Sequence, residues 1–430
     1  MNKTIEASLT EDYTQPIRDV LWGHIYMTEK QALLTETPPF TRLTRIMQLG
    51  PVYLVYPGAT HTRASHSIGV YHLGRRLLQN LAERGASSWI TPEGVKSFLA
   101  ACLLHDLGHF PYTHSLKELS LSSHESLTGA IILKEPMKSL IHDTGADPDL
   151  TAAIIDKEIP GTGKELHFYR RLLSGALDPD KLDYLNRDAR YCGVPYGAQD
   201  VDFIFSRLIP DMERGVDIDS RLIPNVEAVL FSKYLMYRTV YWHRQVRAMT
   251  AMVKKALISA LESGKIAGED LYNLDDMSLF NLLEQKTCTC LTDAICKGKI
   301  YATAKEISSD HANLKAIKPG NKRVKYEEEL ALELRRTGDP AFSEITGDDI
   351  IIDIPEPASF ETGLFVADEG LKFIDSSSAF KPETVNAFVN TLYTIRVYIN
   401  QKYKESIKTN PKACSTIEIV INREECNGHS

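Results

Sequence analysis

Thr91-Pro92-Glu93-Gly94-Val95-Lys96-Ser97-Phe98-Leu99-Ala100-Ala101-Cys102-Leu103-Leu104-His105-Asp106-Leu107-Gly108-His109-Phe110-Pro111-Tyr112-Thr113-His114 reads as an apolar helix that carries charge toward a core. Thr91 suits the N-cap and Pro92 the first helical position. Val95, Phe98, Leu99, Cys102 and Leu103 fall at i, i+3, i+4, i+7 and i+8, one buried stripe. Three residues further the stripe reaches Asp106. An isolated buried charge is costly and needs a partner or a metal. Gly108 is expected to end the helix.

Outward from this stretch, the periodicity from about Thr37 to Gly264 is mostly helical, and Asn225 to Gly264 reads as one long helix with a bend. After it the pattern changes. Ile350–Ile354, Leu364–Asp368, Leu371–Ile374 and Thr416–Ile421 read as strands, with Pro355-Glu356-Pro357 and Glu369-Gly370 as turns. Lys325–Arg336 and Pro382–Lys404 read as helices between them. The expectation is a mainly α chain: a segment over 1–36 packing on the core, a helical core over 37–264, and a smaller α+β lobe over 265–430.

The 430 residues are ample for a real core, and 43% hydrophobic with 25% charged residues is ordinary globular composition. Lys+Arg 49 against Asp+Glu 57 leaves a formal charge of −8, so the chain is not built to coat nucleic acid. The longest apolar run, Phe98 to Leu104, is far too short to span a membrane, and Met1 to Gln15 is polar. A cytoplasmic location is expected. Seven cysteines without framework spacing suit a reducing compartment, and Cys288, Cys290 and Cys296 read as ordinary thiols.

His61, His66, His72, His105, His109, His114 and His124 crowd seven of thirteen histidines into 64 residues, where an even spread gives about two. Histidine is the commonest metal ligand and acid–base group near neutral pH. Adjacent His105 and Asp106 can both hold one cation, and His109 lies one helical turn beyond if the helix continues.

Taken with His66 upstream and Asp180 downstream, the His105-Asp106 pair resembles the HD superfamily of metal-dependent phosphohydrolases. Gln48-Leu49-Gly50, Tyr56-Pro57-Gly58-Ala59, His61-Thr62-Arg63-Ala64-Ser65-His66-Ser67-Ile68-Gly69 and Asp180-Lys181-Leu182-Asp183-Tyr184-Leu185-Asn186-Arg187-Asp188 are similar to its deoxynucleoside triphosphate triphosphohydrolase branch. The resemblance implies an HD-type helical core and one divalent cation (Mn, Fe, Zn, Ni or Mg) on His66, His105, Asp106 and Asp180. Two imidazoles and two carboxylates suit such a cation and leave open positions. It implies cleavage of a dNTP to deoxynucleoside and tripolyphosphate by attack of metal-bound water on the α-phosphate. It also implies a homo-oligomer, dimer or tetramer.

The same resemblance distributes the other roles. Arg63 would meet a phosphate, and His109, His114 and His124 would surround the cleaved one. His124 is at a catalytic position, and His114 or His109 would protonate the leaving 5′-oxygen. Asp180, Tyr184 and Asp188 recur at i, i+4 and i+8 on one helix face. Lys181 would contact phosphate, Tyr184 would pack beneath the ribose, and Asp188 would accept from the 3′-hydroxyl with Gln48 and Leu49 opposite. Tyr241 is carried over as a substrate contact, whereas Trp242 stands where the branch usually has Gln. Asp183 and Arg187 read as a structural ion pair, and Tyr234 as packing. The branch includes a vertebrate member activated by nucleotides bound between subunits; Glu36, Thr41 and Thr44 stand where its activator pocket has Asp, Gln and Arg, so activation by guanine nucleotide is not expected. Lys315, Lys318, Lys322, Arg323 and Lys325 read as a solvated basic loop. His109 after Gly108 argues against the cyclic-dinucleotide branch. The alternatives are a monophosphatase and a nucleotide sensor without turnover.

Overall fold

The computed structural model describes residues 2–422 apart from 120, 288, 309–319 and 357. Cys288, Lys315 and Lys318 of the readings above, and Pro357 of the expected turn, lie outside the described residues. The chain is mainly α, with three small sheets among the described residues.

Thr91 accepts from the Gly94 N–H at 3.0 Å, and Glu165 accepts from the Thr91 N–H at 2.7 Å, which fixes the start of helix Pro92–Leu104. Its apolar stripe is wholly buried against helices Arg63–Glu83 and Pro148–Ile155. The helix stops at Leu104, short of Gly108, so His109 is not on it. Gly108 is required for a different reason from the one expected. A Cβ there would lie 2.1 Å from the His124 carbonyl oxygen, so only glycine lets this turn press on helix His124–Ile132.

The long helix is two helices, Ile223–Met236 and Arg244–Glu262, joined by a π-helical turn, Tyr237–Tyr241. Its aromatic side chains therefore leave the straight stripe. Tyr234 is buried and stacks on Phe388 with ring centroids 4.2 Å apart, as its packing reading expects.

The C-terminal part departs from the expected elements in several places. Helix Pro382–Leu392 ends early, and Thr394–Ile399 is the central strand of a sheet ordered Ala302–Ser308, Thr394–Ile399, Ile350–Asp353. Ile395, Val397, Tyr398 and Ile399 are all buried there, which favours β-branched and aromatic residues. The expected strand Thr416–Ile421 is part of helix Pro411–Asn422. Its buried positions, Ala413, Ile417, Val420 and Ile421, follow i, i+4, i+7 and i+8, and Ile419 points outward. Leu364–Asp368 and Leu371–Ile374 shrink to strands Phe365–Val366 and Leu371–Lys372, followed by the short helix Phe373–Ser376. The basic stretch is not a solvated loop where described. Gly320–Arg336 is a helix, and Arg323 is buried on Glu118 at 2.6 and 2.7 Å.

Strand Gly215–Ile218 pairs in parallel with Phe365–Val366 at Ile218 and Val366. Leu364, Val366, Phe373 and Phe380 consequently sit in the same apolar core as Leu77, Phe98 and Leu185. A separate core gathers Leu330, Leu334, Ile350, Val397 and Ile417. Among the described residues, no helix is long and apolar enough to cross a membrane.

Candidate metal centre and substrate cavity

Helix Arg63–Glu83 crosses helix Pro179–Cys192 at Gly69, where a Cβ would lie 1.9 Å from Asp183 Oδ1. This close crossing sets His66 between two carboxylates. Its Nε2 is 3.0 Å from Asp180 Oδ1 and its Nδ1 is 2.9 Å from Asp183 Oδ2. Burial disfavours a charged imidazole, but the two carboxylates outweigh it and push His66 up to about 10. Asp183 is bound twice by Arg187, at 2.8 and 2.9 Å, so the expected ion pair is present. Trp22 Nε1 also donates to Asp183 at 2.6 Å, and Arg187 reaches Asp19 at 2.8 Å. Asp183 therefore orients His66 as well, which the ion-pair reading misses.

His105 Nδ1 lies 3.0 Å from the Cys102 carbonyl, which can only accept, so Nδ1 carries hydrogen. The opposite nitrogen, Nε2, is buried without a hydrogen-bond partner and lies 3.3 Å from Asp106 Oδ1. Asp106 receives Arg63 Nη1 at 2.8 Å and His109 Nε2 at 3.2 Å. Burial alone would raise its carboxyl, but His109, His105 and Arg63 hold it well below the usual carboxylate range. Ligand atoms of His66, His105 and Asp106 lie within 4.8 Å of one another, and those of Asp106, His109 and His124 form a second such group. Asp180 joins the first through His66. Mixed nitrogen and oxygen donors, one of them an orphaned buried imidazole nitrogen, fit a divalent cation.

Beyond Asp106 the chain reverses at Tyr112, whose φ is +61°, and the short turn Thr113–Leu116 returns His114 to the cluster. His109 stacks on His124 with centroids 3.9 Å apart, and His114 stands 4.8 and 5.3 Å from these two rings. Burial first and Arg63 next lower the proton affinity of His109; for His114, which opens onto the cavity, the crowding of the cavity walls comes first and Arg63 next, in the same direction. His124 is lowered by burial against the opposing pull of Glu125, whose carboxylate is 3.2 Å from Nδ1. Arg42 anchors the whole turn from behind, donating to the carbonyls of His109 and Leu107 at 2.6 Å each and of Leu274 at 3.0 Å.

At the other end, Asp188 is almost fully buried. Its oxygens are held by His61 Nε2 at 2.8 Å and by the Tyr241 hydroxyl at 2.6 Å. Gln48 is tied by its N–H to the His61 carbonyl at 3.0 Å, and its Oε1 is buried without a partner. Lys181 is held by Asp178 at 2.7 Å and by the Gly175 carbonyl at 3.0 Å.

The fourteen residues given a metal, catalytic or substrate-contact role from the sequence all line one cavity of about 710 Å³. The wall also includes Trp242 beside Tyr241, and residues that sequence reading missed: Lys233, Arg247, Lys254, Asp276 and Glu361. Lys233 carried a signal, since Lys233, Tyr237 and Tyr241 repeat at i, i+4 and i+8. Asp183 carried one too, three residues after Asp180. Glu361 and Asp276 come from distant segments and carried none.

Residues 63–144 match the HD domain, and residues 203–426 match the HD associated region. An uncharacterised protein of Methanocaldococcus jannaschii is 29% identical over 401 residues, covering 91% of this chain and 82% of that protein. The deoxynucleoside triphosphate triphosphohydrolase SAMHD1 of Bos taurus is 26% identical over 354 residues, covering 72% of this chain and 58% of that protein. A solved hypothetical protein from Aquifex aeolicus shares the fold at a TM-score of 0.68 and 24% identity, over 94% of this chain and 99% of that one. With the HD domain around the His-Asp pair and the HD associated region across more than half its length, this chain belongs to the HD-domain phosphohydrolase family.

Proposed function

We propose that the chain hydrolyses deoxynucleoside triphosphates to a deoxynucleoside and inorganic tripolyphosphate. The observation that carries this reading is that one cavity joins the cation-fitted cluster, three histidines and the Asp188–Tyr241 pair. The relative whose name states this activity supports the same reading.

In this reading His66, His105, Asp106 and Asp180 hold a divalent cation, and Asp183 fixes the ring of His66. When bound, such an ion supplies Lewis acidity to a phosphoryl oxygen and lowers the pKa of water. The bond that forms joins a water oxygen to the α-phosphorus, and the bond that breaks is the one to the 5′-oxygen, which leaves protonated. Arg63 balances charge on the α-phosphate. His109 is occupied by Asp106 and stacked on His124, whereas His114 faces the open cavity. His114 is therefore the proton donor to the 5′-oxygen. The surroundings of His114 lower its affinity for a proton, and the negative charge of a bound triphosphate opposes that effect, favouring the proton it must give. Tyr184 lies under the deoxyribose. Asp188 keeps free lone pairs after meeting His61 and Tyr241 and accepts from the 3′-hydroxyl, with Gln48 opposite.

The test is turnover of each dNTP and the matching NTP with Mn²⁺, with products resolved by anion exchange. Tripolyphosphate and deoxynucleoside are expected, with dNTP favoured over NTP. Cleavage confined to monophosphates overturns the reading, and tight dNTP binding without turnover replaces it with a nucleotide sensor.

A further inference from the structure

Lys181 and Lys233 both line the cavity that contains Asp180. Lys181 follows Asp180 in the chain and is held by Asp178 from its own helix. Lys233 comes from helix Ile223–Met236 and is only 5% exposed, and its Nζ meets Glu361 Oε2 at 2.7 Å. A buried ammonium must keep an anionic or polar partner.

The two members of this pair are unequally placed. Lys233 is fixed on the buried face of a helix. Glu361 lies on the irregular segment between strands Ile350–Asp353 and Phe365–Val366, and its side chain is 37% exposed. Glu361 can return to water far more cheaply than Lys233 can. Phe360 anchors the segment beside it, with its ring 5.8 Å from Lys233 Nζ and 6.0 Å from the Phe388 ring. The end of strand Ile350–Asp353 sets Asp353 on Arg247, and the segment brings Glu356 to the cavity wall. Lys181 acts electrostatically on both Lys233 and Glu361, so the three charges form one group. The cavity thus holds a releasable carboxylate on a cation that a phosphate oxygen would suit equally well.

We propose that Glu361 is a resident counter-ion that the distal phosphates of the substrate displace from Lys233, so that the pair sets affinity for the polyphosphate and senses its length. The proposal rests on the polyphosphate reading above. A lone phosphate held among the histidines leaves the Lys233–Glu361 pair intact. A longer chain running along Lys181 meets Lys233 and must replace Glu361. Without the carboxylate, Lys233 has no competitor for that chain.

The experiment is calorimetric binding of inorganic tripolyphosphate and of orthophosphate, with excess Mn²⁺, to the wild-type protein and to Glu361→Gln. Tripolyphosphate is expected to bind about tenfold tighter to the variant, the worth of one charge-assisted hydrogen bond freed from competition. Orthophosphate is expected to stay within about twofold. Glu361→Ala, which cannot hydrogen-bond Lys233, is expected to shift tripolyphosphate in the same direction. Unchanged or weaker tripolyphosphate binding in both variants overturns the proposal. Equal tightening of both ligands overturns the length-sensing part. Failure of tripolyphosphate to bind any of the three proteins removes the polyphosphate reading itself, a result distinct from equal binding to all.

Discussion

Asp183 uses its two oxygens on His66, Arg187 and Trp22 at once. A carboxylate behind a ligating histidine fixes the ring and strengthens its donor nitrogen, and losing it typically costs about 10–100-fold in metal affinity. Asp183→Asn keeps the shape but removes the charge, so Mn²⁺ affinity is expected to fall by about that factor. Competition with a chromophoric chelator measures it, and an unchanged affinity contradicts the assigned role. Asp183 also marks the limit of reading residues one at a time. The i, i+4 spacing of Asp183 and Arg187 was legible, but the demand from His66 was not, because it arises only where two helices cross at Gly69. His66, His105 and Asp106 were legible because their chemistry is unusual for the apolar surroundings that the helical period gives them.

At the scale of elements, helix Asp276–Thr287 begins at the cavity wall, and Asp276 accepts from the Met47 N–H at 2.9 Å. A carboxylate in a first helical turn is ordinarily favoured. Here burial outweighs Met47 and Arg63 and pushes Asp276 up to about 6. Below about pH 4 the folded and unfolded chains both hold this proton, and between about 4 and 6 only the folded chain does. Stability is therefore expected to fall as pH rises through that window, by on the order of 2 kcal/mol, and then to level off. Urea unfolding of wild type and Asp276→Asn from pH 4 to 7 reads this term as their difference. A variant with the same slope as the wild type contradicts it. Elements followed the sequence where one face is buried and the period is clean, as in Pro92–Leu104. They departed where apolar residues are dense enough to fit both periods, as in Thr416–Ile421, or where a helix gives way at once to a buried strand, as at Leu392 and Thr394.

For the whole molecule, the cavity draws on the helical part and on the segment 353–361, and strand Phe365–Val366 ties that segment's end to Gly215–Ile218. Such pairing between distant stretches leaves no local pattern in the sequence, which is why Arg247, Lys254 and Glu361 were not legible as wall residues. The histidine cluster and the Asp180 helix were, because each lies within one short stretch. The central claim is that Asp106 and its neighbours form a cation-dependent phosphohydrolase centre. The most direct measurement is dNTP hydrolysis by chelator-treated protein before and after Mn²⁺ is restored, beside Asp106→Ala with its bound metal quantified. Turnover is expected to vanish on chelation, to return with Mn²⁺, and to be absent in Asp106→Ala together with most of the metal. Undiminished turnover in the chelated protein, or in Asp106→Ala, would contradict the account.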